Sequence, residues 1–271
     1  MRPLRILSDI HYGDRASRVT ALGRLSPLFD GAGSLVLNGD TMDTRPGAAE
    51  GVTESSRRDV EQFFASSGLP TTFITGNHDP DISGHHDWEV AGGAVYLTHG
   101  DVLFADGVPW SQDREMIGRE IARALASLPA PIAGTLEEQL RIHREVAGRV
   151  YQRHQVERRL VQYFLRLAED TIWPPSRVFK ILQAWRDAPG RAATLGRLHR
   201  PKAKFVLIGH THRPGIWEFP EGPTVINTGS YTLPLGAYAV DVTTEALAVR
   251  QVVFKGGSYR AGSMIREFSL A

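Results

Sequence analysis

Residues 205–213 read Phe-Val-Leu-Ile-Gly-His-Thr-His-Arg. A four-residue apolar run, the length of a short buried strand, ends at a glycine and then at two histidines one residue apart. The same grammar recurs along the chain. Leu4–Leu7 precedes Ser8-Asp9-Ile10-His11, and Leu35–Leu37 precedes Asn38-Gly39-Asp40. Thr72–Ile74 precedes Gly76-Asn77-His78-Asp79, and Val95–Leu97 precedes His99-Gly100-Asp101. Between the first three runs, Arg18–Phe29 and Ser56–Ser66 carry apolar residues at helical spacing. Strand alternating with helix predicts an α/β fold with a largely parallel sheet and right-handed connections. In such sheets ligands bind beyond the carboxyl ends of the strands, where all five polar turns stand.

The rest of the chain bounds what those turns can do. Its 271 residues, 42% hydrophobic and 23% charged, make one large globular domain or a domain with an insertion. With no cysteine, thiolate zinc sites, disulfides and cysteine nucleophiles are excluded, so a transition metal would be held by nitrogen and oxygen. No apolar run reaches the roughly 20 residues that cross a bilayer, and the N-terminus reads as a first strand rather than a signal peptide. The expectation is a cytoplasmic protein.

The net charge of +1 conceals an asymmetry: residues 102–204 hold 18 Lys and Arg against 11 Asp and Glu, inside an acidic remainder. That stretch is also punctuated by Pro129, Pro131, Gly134, Pro174, Pro175, Pro189 and Gly190, with helical patterning between, clearest over Leu136–Leu167. Val146, Val150, Leu160, Phe164 and Leu167 fall near one face. It reads as a helical cap, residues 107–201, inserted into a core of residues 1–106 and 202–271. After it the β pattern resumes at Thr224–Ile226, Ala237–Val240 and Leu247–Phe254.

Each polar turn alone has an ordinary structural reading: Asp9 and Asp40 as helix caps or loop residues, Asn77 or Asp79 as turn formers, His99 as a bonded core histidine. Together they are a different object. Four imidazoles (His11, His99, His210, His212), two carboxylates (Asp9, Asp40) and the amide of Asn77 are a borderline nitrogen and oxygen donor set. It is too large for one tetrahedral ion and suits two ions that share a carboxylate and keep room for water or substrate.

The ordered motifs Asp9-x-His11, Gly39-Asp40-x-x-Asp43, Gly76-Asn77-His78-Asp79, His99-Gly100-Asp101 and Gly209-His210-Thr211-His212 resemble those of the calcineurin-like metallophosphoesterases. The resemblance covers about residues 1–105 and 203–255. It implies a four-layer α-β-β-α sandwich with two divalent metal ions, manganese first, with iron or zinc as alternatives. One ion would be held by Asp9, His11 and His212, the other by Asn77, His99 and His210, with Asp40 bridging. A metal-bridging hydroxide would attack a phosphodiester or pyrophosphate. His78 would face the substrate and protonate the leaving group, and Asp43 would orient it. Thr44 stands where the phosphoprotein phosphatases of this superfamily carry an arginine, so a protein phosphatase is the poorer match.

The layout of a helical insertion before Gly-His-Thr-His is similar to the UDP-2,3-diacylglucosamine pyrophosphatases of lipid A synthesis. Their lid receives acyl chains, though they usually carry arginine at the position of His78. That reading implies a nucleotide-lipid substrate and peripheral contact of the basic cap with an anionic membrane. Two lesser alternatives are a nuclease, drawing on Arg141–Arg144 and Arg158-Arg159, and a non-catalytic scaffold of the same fold. No base-reading pattern accompanies the arginines, so nucleic acid is a poor partner. No ligand position is missing, which argues against a scaffold. His85 and His86 read as surface residues, and Asn227-Thr228-Gly229-Ser230 as structural.

Overall fold

The computed structural model describes residues 2–47, 51–151 and 176–270. One sheet contains β1 (Leu4–Leu7), β2 (Ser34–Asn38), β3 (Thr71–Ile74), β9 (Tyr238–Val242), β10 (Ala246–Lys255) and β11 (Ser258–Ser269), in the order β11-β10-β9-β1-β2-β3. The other contains β4 (Asp87–Val90), β5 (Val95–Thr98), β6 (Phe205–Ile208), β7 (Gly215–Trp217) and β8 (Thr224–Asn227), in the order β4-β5-β6-β8-β7. Both sheets are mixed. β1, β2 and β3 run parallel, as do β5, β6 and β8, while β9, β10 and β11 in the first sheet and β4 and β7 in the second pair antiparallel.

The central strands are apolar on both sides because both sides are covered. Along β1, Ile6 faces the core between the sheets, where it meets Val36, Leu97, Leu207 and Val249. Leu7, one residue on, joins the outer core with Leu25, Leu28, Leu37 and Phe64. In β6, Phe205 and Leu207 point between the sheets, whereas Val206 and Ile208 point outward. The result is the expected α/β sandwich of two sheets between outer helical layers, but the sheets are mixed rather than largely parallel, because β4, β7, β9, β10 and β11 pair antiparallel.

The outer layer of the first sheet is α1 (Val52–Ser66) and a 3-10 helix at Leu22–Phe29. The latter occupies part of the expected Arg18–Phe29 helix; Pro27 inside it supplies no backbone N–H, which favours the shorter, tighter turn. Between β5 and β6 lie α2 (Arg114–Ala126), α3 (Ala130–Ala133), α4 (Leu136–Ala147) and α5 (Ser176–His199). Of the helical pattern expected over Leu136–Leu167, α4 takes the first part. Leu160, Phe164, Leu167 and Arg158-Arg159 lie outside the described residues.

α2 and α4 enclose a small core of their own, Ile117, Ile121, Ile142, Val146 and Val150. α5 does something different: Ala184, Ala188, Ala192 and Ala193 form a flat face packed against Val206 and Val225 of the second sheet. A Cβ on Gly196 would sit 2.7 Å from Val206 Cγ2, so the helix lies as close to the strands as a side chain-free position allows. α5 thus supplies the sandwich's second outer layer from within residues 107–201. Pro189 and Gly190, which read as a break, fall inside this continuous helix. The carbonyl that Pro189 leaves without its helical partner, that of Trp185, accepts from Arg213 Nη1 at 3.0 Å.

Candidate metal centre

Asp9 and His11 follow β1, Asp40 follows β2, Asn77 and His78 follow β3, His99 follows β5, and His210 and His212 follow β6. The carboxyl ends of both sheets therefore open onto one crevice. Five of these residues have left-handed backbones: Asp9 (φ 52), His11 (φ 50), Asp40 (φ 51), His210 (φ 63) and His212 (φ 56). Each such conformation costs of order 1–3 kcal/mol outside glycine, and such strain clusters where function requires a side chain to be aimed. The turns are tied together by backbone bonds, Asp9 N–H to Gly39 O (3.1 Å), His11 N–H to Asp40 O (2.9 Å) and Gly209 N–H to His99 O (2.8 Å). Two glycines are obligatory by space: a Cβ on Gly209 would stand 2.1 Å from Asp9 Oδ2, and one on Gly76 2.1 Å from Asp40 Oδ1.

All seven expected ligands come together, in two sets that meet at Asp40. In the first set, His212 Nε2 lies 3.3 Å from Asp9 Oδ1 and 3.1 Å from His11 Nε2. In the second, Asn77 Oδ1 lies 3.1 Å from His99 Nε2 and 2.8 Å from His210 Nδ1. Asp40 Oδ2 is 3.2 Å from His99 Nε2 and 3.7 Å from His11 Nε2, and so belongs to both. The outward ring nitrogens are fixed from behind. His99 Nδ1 donates to Asn38 O at 3.2 Å, His210 Nε2 donates to Gly107 O at 3.0 Å, and His212 Nδ1 shares a hydrogen bond with Thr232 Oγ1 at 3.1 Å.

The electrostatics fit cations. Asp9 and Asp40 are 0% and 1% exposed, a costly placement for two carboxylates without compensating positive charge. Burial alone would raise Asp40, yet His99 and His78 hold it well below the usual carboxylate range. Burial likewise opposes the charging of His99, but Asp40 lifts it to about 10, so a histidine proton balances the acid. Burial pushes His11 down to about 4 and His210 down to about 3, leaving neutral imidazoles, the form that ligates metal. The donor set and its charge balance therefore suit divalent ions of the manganese, iron and zinc kind, with Asp9, His11 and His212 on one side, Asn77, His99 and His210 on the other, and Asp40 between.

His78 stands beside both sets. One of its ring nitrogens lies within 4.8 Å of donor atoms of His11 and Asp40, and its Nδ1 is 3.0 Å from Asp43 Oδ2. Its backbone N–H donates to Asp40 Oδ1 at 2.8 Å. His85 and His86 are outside the cluster: His85 packs edge-on against Trp88, and His86 Nδ1 pairs with Thr75 Oγ1 at 2.9 Å. Above the ligands opens a cavity of about 870 Å³, its floor His11, Asp40, Asn77 and His212, its walls largely apolar: Ile117, Ile121, Val150, Val178, Leu182, Trp185 and Leu233.

The sequence profile of the calcineurin-like phosphoesterases matches residues 3–214 of the chain. The chain belongs to that family. No curated protein matches this phosphoesterase by sequence. Among solved structures it is similar to a predicted phosphoesterase from Streptococcus pneumoniae, with 13% identity over 99% of this chain and 97% of the other and a TM-score of 0.39. A dimetal phosphatase from Danio rerio gives 10% identity, 99% and 98% coverage and a TM-score of 0.43. A zinc complex of Vps29 from Entamoeba histolytica gives 11%, 98% of each chain and 0.40.

Of three further residues at the phosphoesterase site, Asp79 reads in the sequence only as a turn former, and Trp110 and Arg45 are not singled out there. Asp79, fully buried, accepts from the backbone N–H groups of Asp40 (2.9 Å), Thr41 (2.6 Å) and Gly76 (2.7 Å) and so locks two ligand turns together. Burial and the charge of Asp40 push its carboxyl up to about 8. Trp110 packs against the His210 ring at 5.1 Å. Arg45 grips Asp43 with Nε to Oδ1 at 3.0 Å and Nη2 to Oδ2 at 2.7 Å. Burial would raise Asp43, but Arg45 and then His78 bring it down to about 2. The only signal for Arg45 was its place two residues beyond Asp43, one past the position where related phosphatases carry arginine.

Proposed function

We propose that this chain is a dinuclear-metal-dependent hydrolase that cleaves a phosphodiester or pyrophosphate bond. The observation that carries the reading is the convergence of two ligand sets on Asp40, whose Oδ2 is 3.2 Å from His99 Nε2 and 3.7 Å from His11 Nε2. Bound there, two divalent ions would polarise the phosphoryl oxygens and acidify a water. The chain's own groups do the rest. Asp9 and Asp40 bring the anionic charge that retains the ions, and His78, at the crevice edge, faces the leaving group. As the bond from phosphorus to the leaving oxygen breaks, that oxygen takes the proton of His78. The water oxygen, its own proton released to solvent, forms the new bond to phosphorus, and His78 regains a proton from solvent. Replacing His78 by Ala is expected to leave the metal content unchanged and, on a substrate with a poor leaving group such as diphenyl phosphate, to lower kcat by about 10²–10⁴-fold. Loss of metal on dialysis of that variant would instead make His78 a ligand.

A second reading is favoured by the apolar walls over the polar floor. An enzyme acting on a small soluble phosphoester has little use for Ile117, Ile121 and Leu182 above its metals, whereas an amphiphile would bury its chains against them. A UDP-2,3-diacylglucosamine-like substrate fits that chemistry. Exposed Phe179 (73%) and Leu182 (50%) lie on α5 beside Arg177 and Lys180, a surface suited to peripheral contact with an anionic membrane from the cytoplasmic side. None of the described helices is long and apolar enough to cross one.

Turnover with manganese on bis-p-nitrophenyl phosphate and on UDP-2,3-diacylglucosamine, side by side, tests both readings. Strong preference for the lipid supports the second. Hydrolysis of the simple diester alone supports a capped phosphodiesterase, and inactivity on both with bound metal counts against catalysis altogether.

A further inference from the structure

Arg45 occupies an unusual place for an arginine near a phosphate-binding floor. It lines the cavity, yet its side chain is only 10% exposed and its fork is turned on the protein. Nε and Nη2 take the two oxygens of Asp43, the backbone N–H of Arg45 adds a third bond to Asp43 Oδ1 at 3.1 Å, and the same Nη2 stands 2.8 Å from His78 Nδ1. His78 Nδ1 donates its proton to the Asp43 carboxylate at 3.0 Å. The guanidinium at 2.8 Å, itself a donor, stands beside that nitrogen without bonding it, so Arg45 acts on the ring through Asp43. A carboxylate alone is a pivot about which an imidazole can rotate. A planar guanidinium that holds the carboxylate bidentately and touches the ring fixes the plane of all three.

We infer that Arg45 is a positioning residue: it holds the Asp43 carboxylate and the His78 ring as one rigid unit, so that the ring's other nitrogen is aimed at the leaving oxygen. This rests on the phosphoesterase reading but separates from it experimentally. A guanidinium spent in this way contributes little to substrate affinity. Its loss affects the step in which the leaving oxygen needs a proton. Lysine does not replace it, because an ammonium cannot form the fork.

The experiment compares wild type, Arg45→Ala, Arg45→Lys, His78→Ala and the Arg45→Ala/His78→Ala pair, all loaded with manganese, on bis-p-nitrophenyl phosphate and on diphenyl phosphate, whose phenol is the poorer leaving group. Both Arg45 variants are expected to keep their metal and their KM and to lose about 10²-fold in kcat on diphenyl phosphate. The loss on the nitrophenyl ester is expected to be much smaller, and in the His78→Ala background the Arg45 substitution is expected to be silent. Nitrogen NMR of imidazole-labelled, metal-free protein supplies a reading without turnover. His78 is expected to show one fixed tautomer in wild type and a tautomer average in Arg45→Ala.

A raised KM with unchanged kcat would make Arg45 a phosphate clamp and overturn the inference. Equal losses on both esters that add to those of His78→Ala would also overturn it. A wild type inactive on both esters, with the NMR difference present, would sink the phosphoesterase reading while the positioning of His78 by Arg45 stands.

Discussion

Asp40→Asn is expected to abolish turnover and to release the metal. The substitution keeps the shape of the side chain, including the oxygen that receives the His78 backbone N–H at 2.8 Å, so the turn at φ 51 need not move. What changes is charge. Asp40 Oδ2 stands between the two ligand sets. Asp9 also has an oxygen within 4.8 Å of a His99 ring nitrogen, but in the variant it alone would face two divalent ions. The lost Lewis-acid stabilisation of the transition state is of the order of several kcal/mol, or about 10³-fold or more in rate at 1.36 kcal/mol per tenfold. Elemental analysis after dialysis, together with turnover of bis-p-nitrophenyl phosphate, measures both effects. A variant that kept two ions and full rate would refute the shared-carboxylate reading. Asp9→Asn provides the comparison: Asp9 is the acid of the His11 and His212 side, though within 4.8 Å of His99 as well, so the loss of metal is expected to fall mainly on that side.

That prediction rests on residues legible from the sequence, and the reason is physical. A strand buried on both faces has to be a short apolar run, and a polar residue directly after it has to be at the sheet's edge. Leu4–Leu7 before Asp9 and Phe205–Ile208 before His210 carry this signal without ambiguity. Where burial is one-sided or absent the signal fades. β11, Ser-Tyr-Arg-Ala-Gly-Ser-Met-Ile-Arg-Glu-Phe-Ser, is an edge strand with much of its surface in solvent, and β4 (Asp-Trp-Glu-Val) and three-residue β7 are also edges. None of the three has the apolar run that marks a central strand.

Other features depend on contacts distant in sequence. Pro189 reads as a helix end until Arg213 is seen to satisfy the carbonyl it orphans. Asp79 reads as a turn residue until three backbone amides are found on its carboxylate. Arg45 has no periodic partner at all; its meaning comes from Asp43 and His78, 33 residues further on.

Arg144→Ala is expected to be the most destabilising single change in α4. Arg144 and Asp101 are 3% and 1% exposed, and Arg144 Nη2 donates to Asp101 Oδ1, while His143 Nδ1 approaches Asp101 Oδ2 at 3.6 Å. The pair ties α4 to the turn that carries His99, two residues before Asp101. It is not a comfortable pair, since Arg144 Nε and Nη1 are buried with no hydrogen-bond partner among the described residues. Its net worth is therefore small, but removing only the arginine strands a buried carboxylate, a loss of about 3–5 kcal/mol. For a chain of this size that corresponds to a fall of roughly 10 °C in the unfolding midpoint. Asp101→Asn/Arg144→Met, which removes both charges, is expected to recover most of it.

The pH dependence has a definite sign. Burial raises the Asp101 carboxyl, but Arg144 outweighs it and holds the group well below its ordinary value. A depressed carboxyl contributes stability that is complete above its unfolded value of about 3.9 and is lost only as pH falls through the lower folded value. The wild-type contribution should accordingly persist from about pH 5 to 8 and be lost only in strong acid. Protonation of the stranded Asp101 relieves Arg144→Ala at higher pH, so the gap is widest toward pH 8 and narrows toward acid. Thermal unfolding of the metal-free proteins across that range measures it. A single variant within about 1 °C of wild type, or a double variant as unstable as the single one, would show that the pair does not hold α4 to the turn that carries His99.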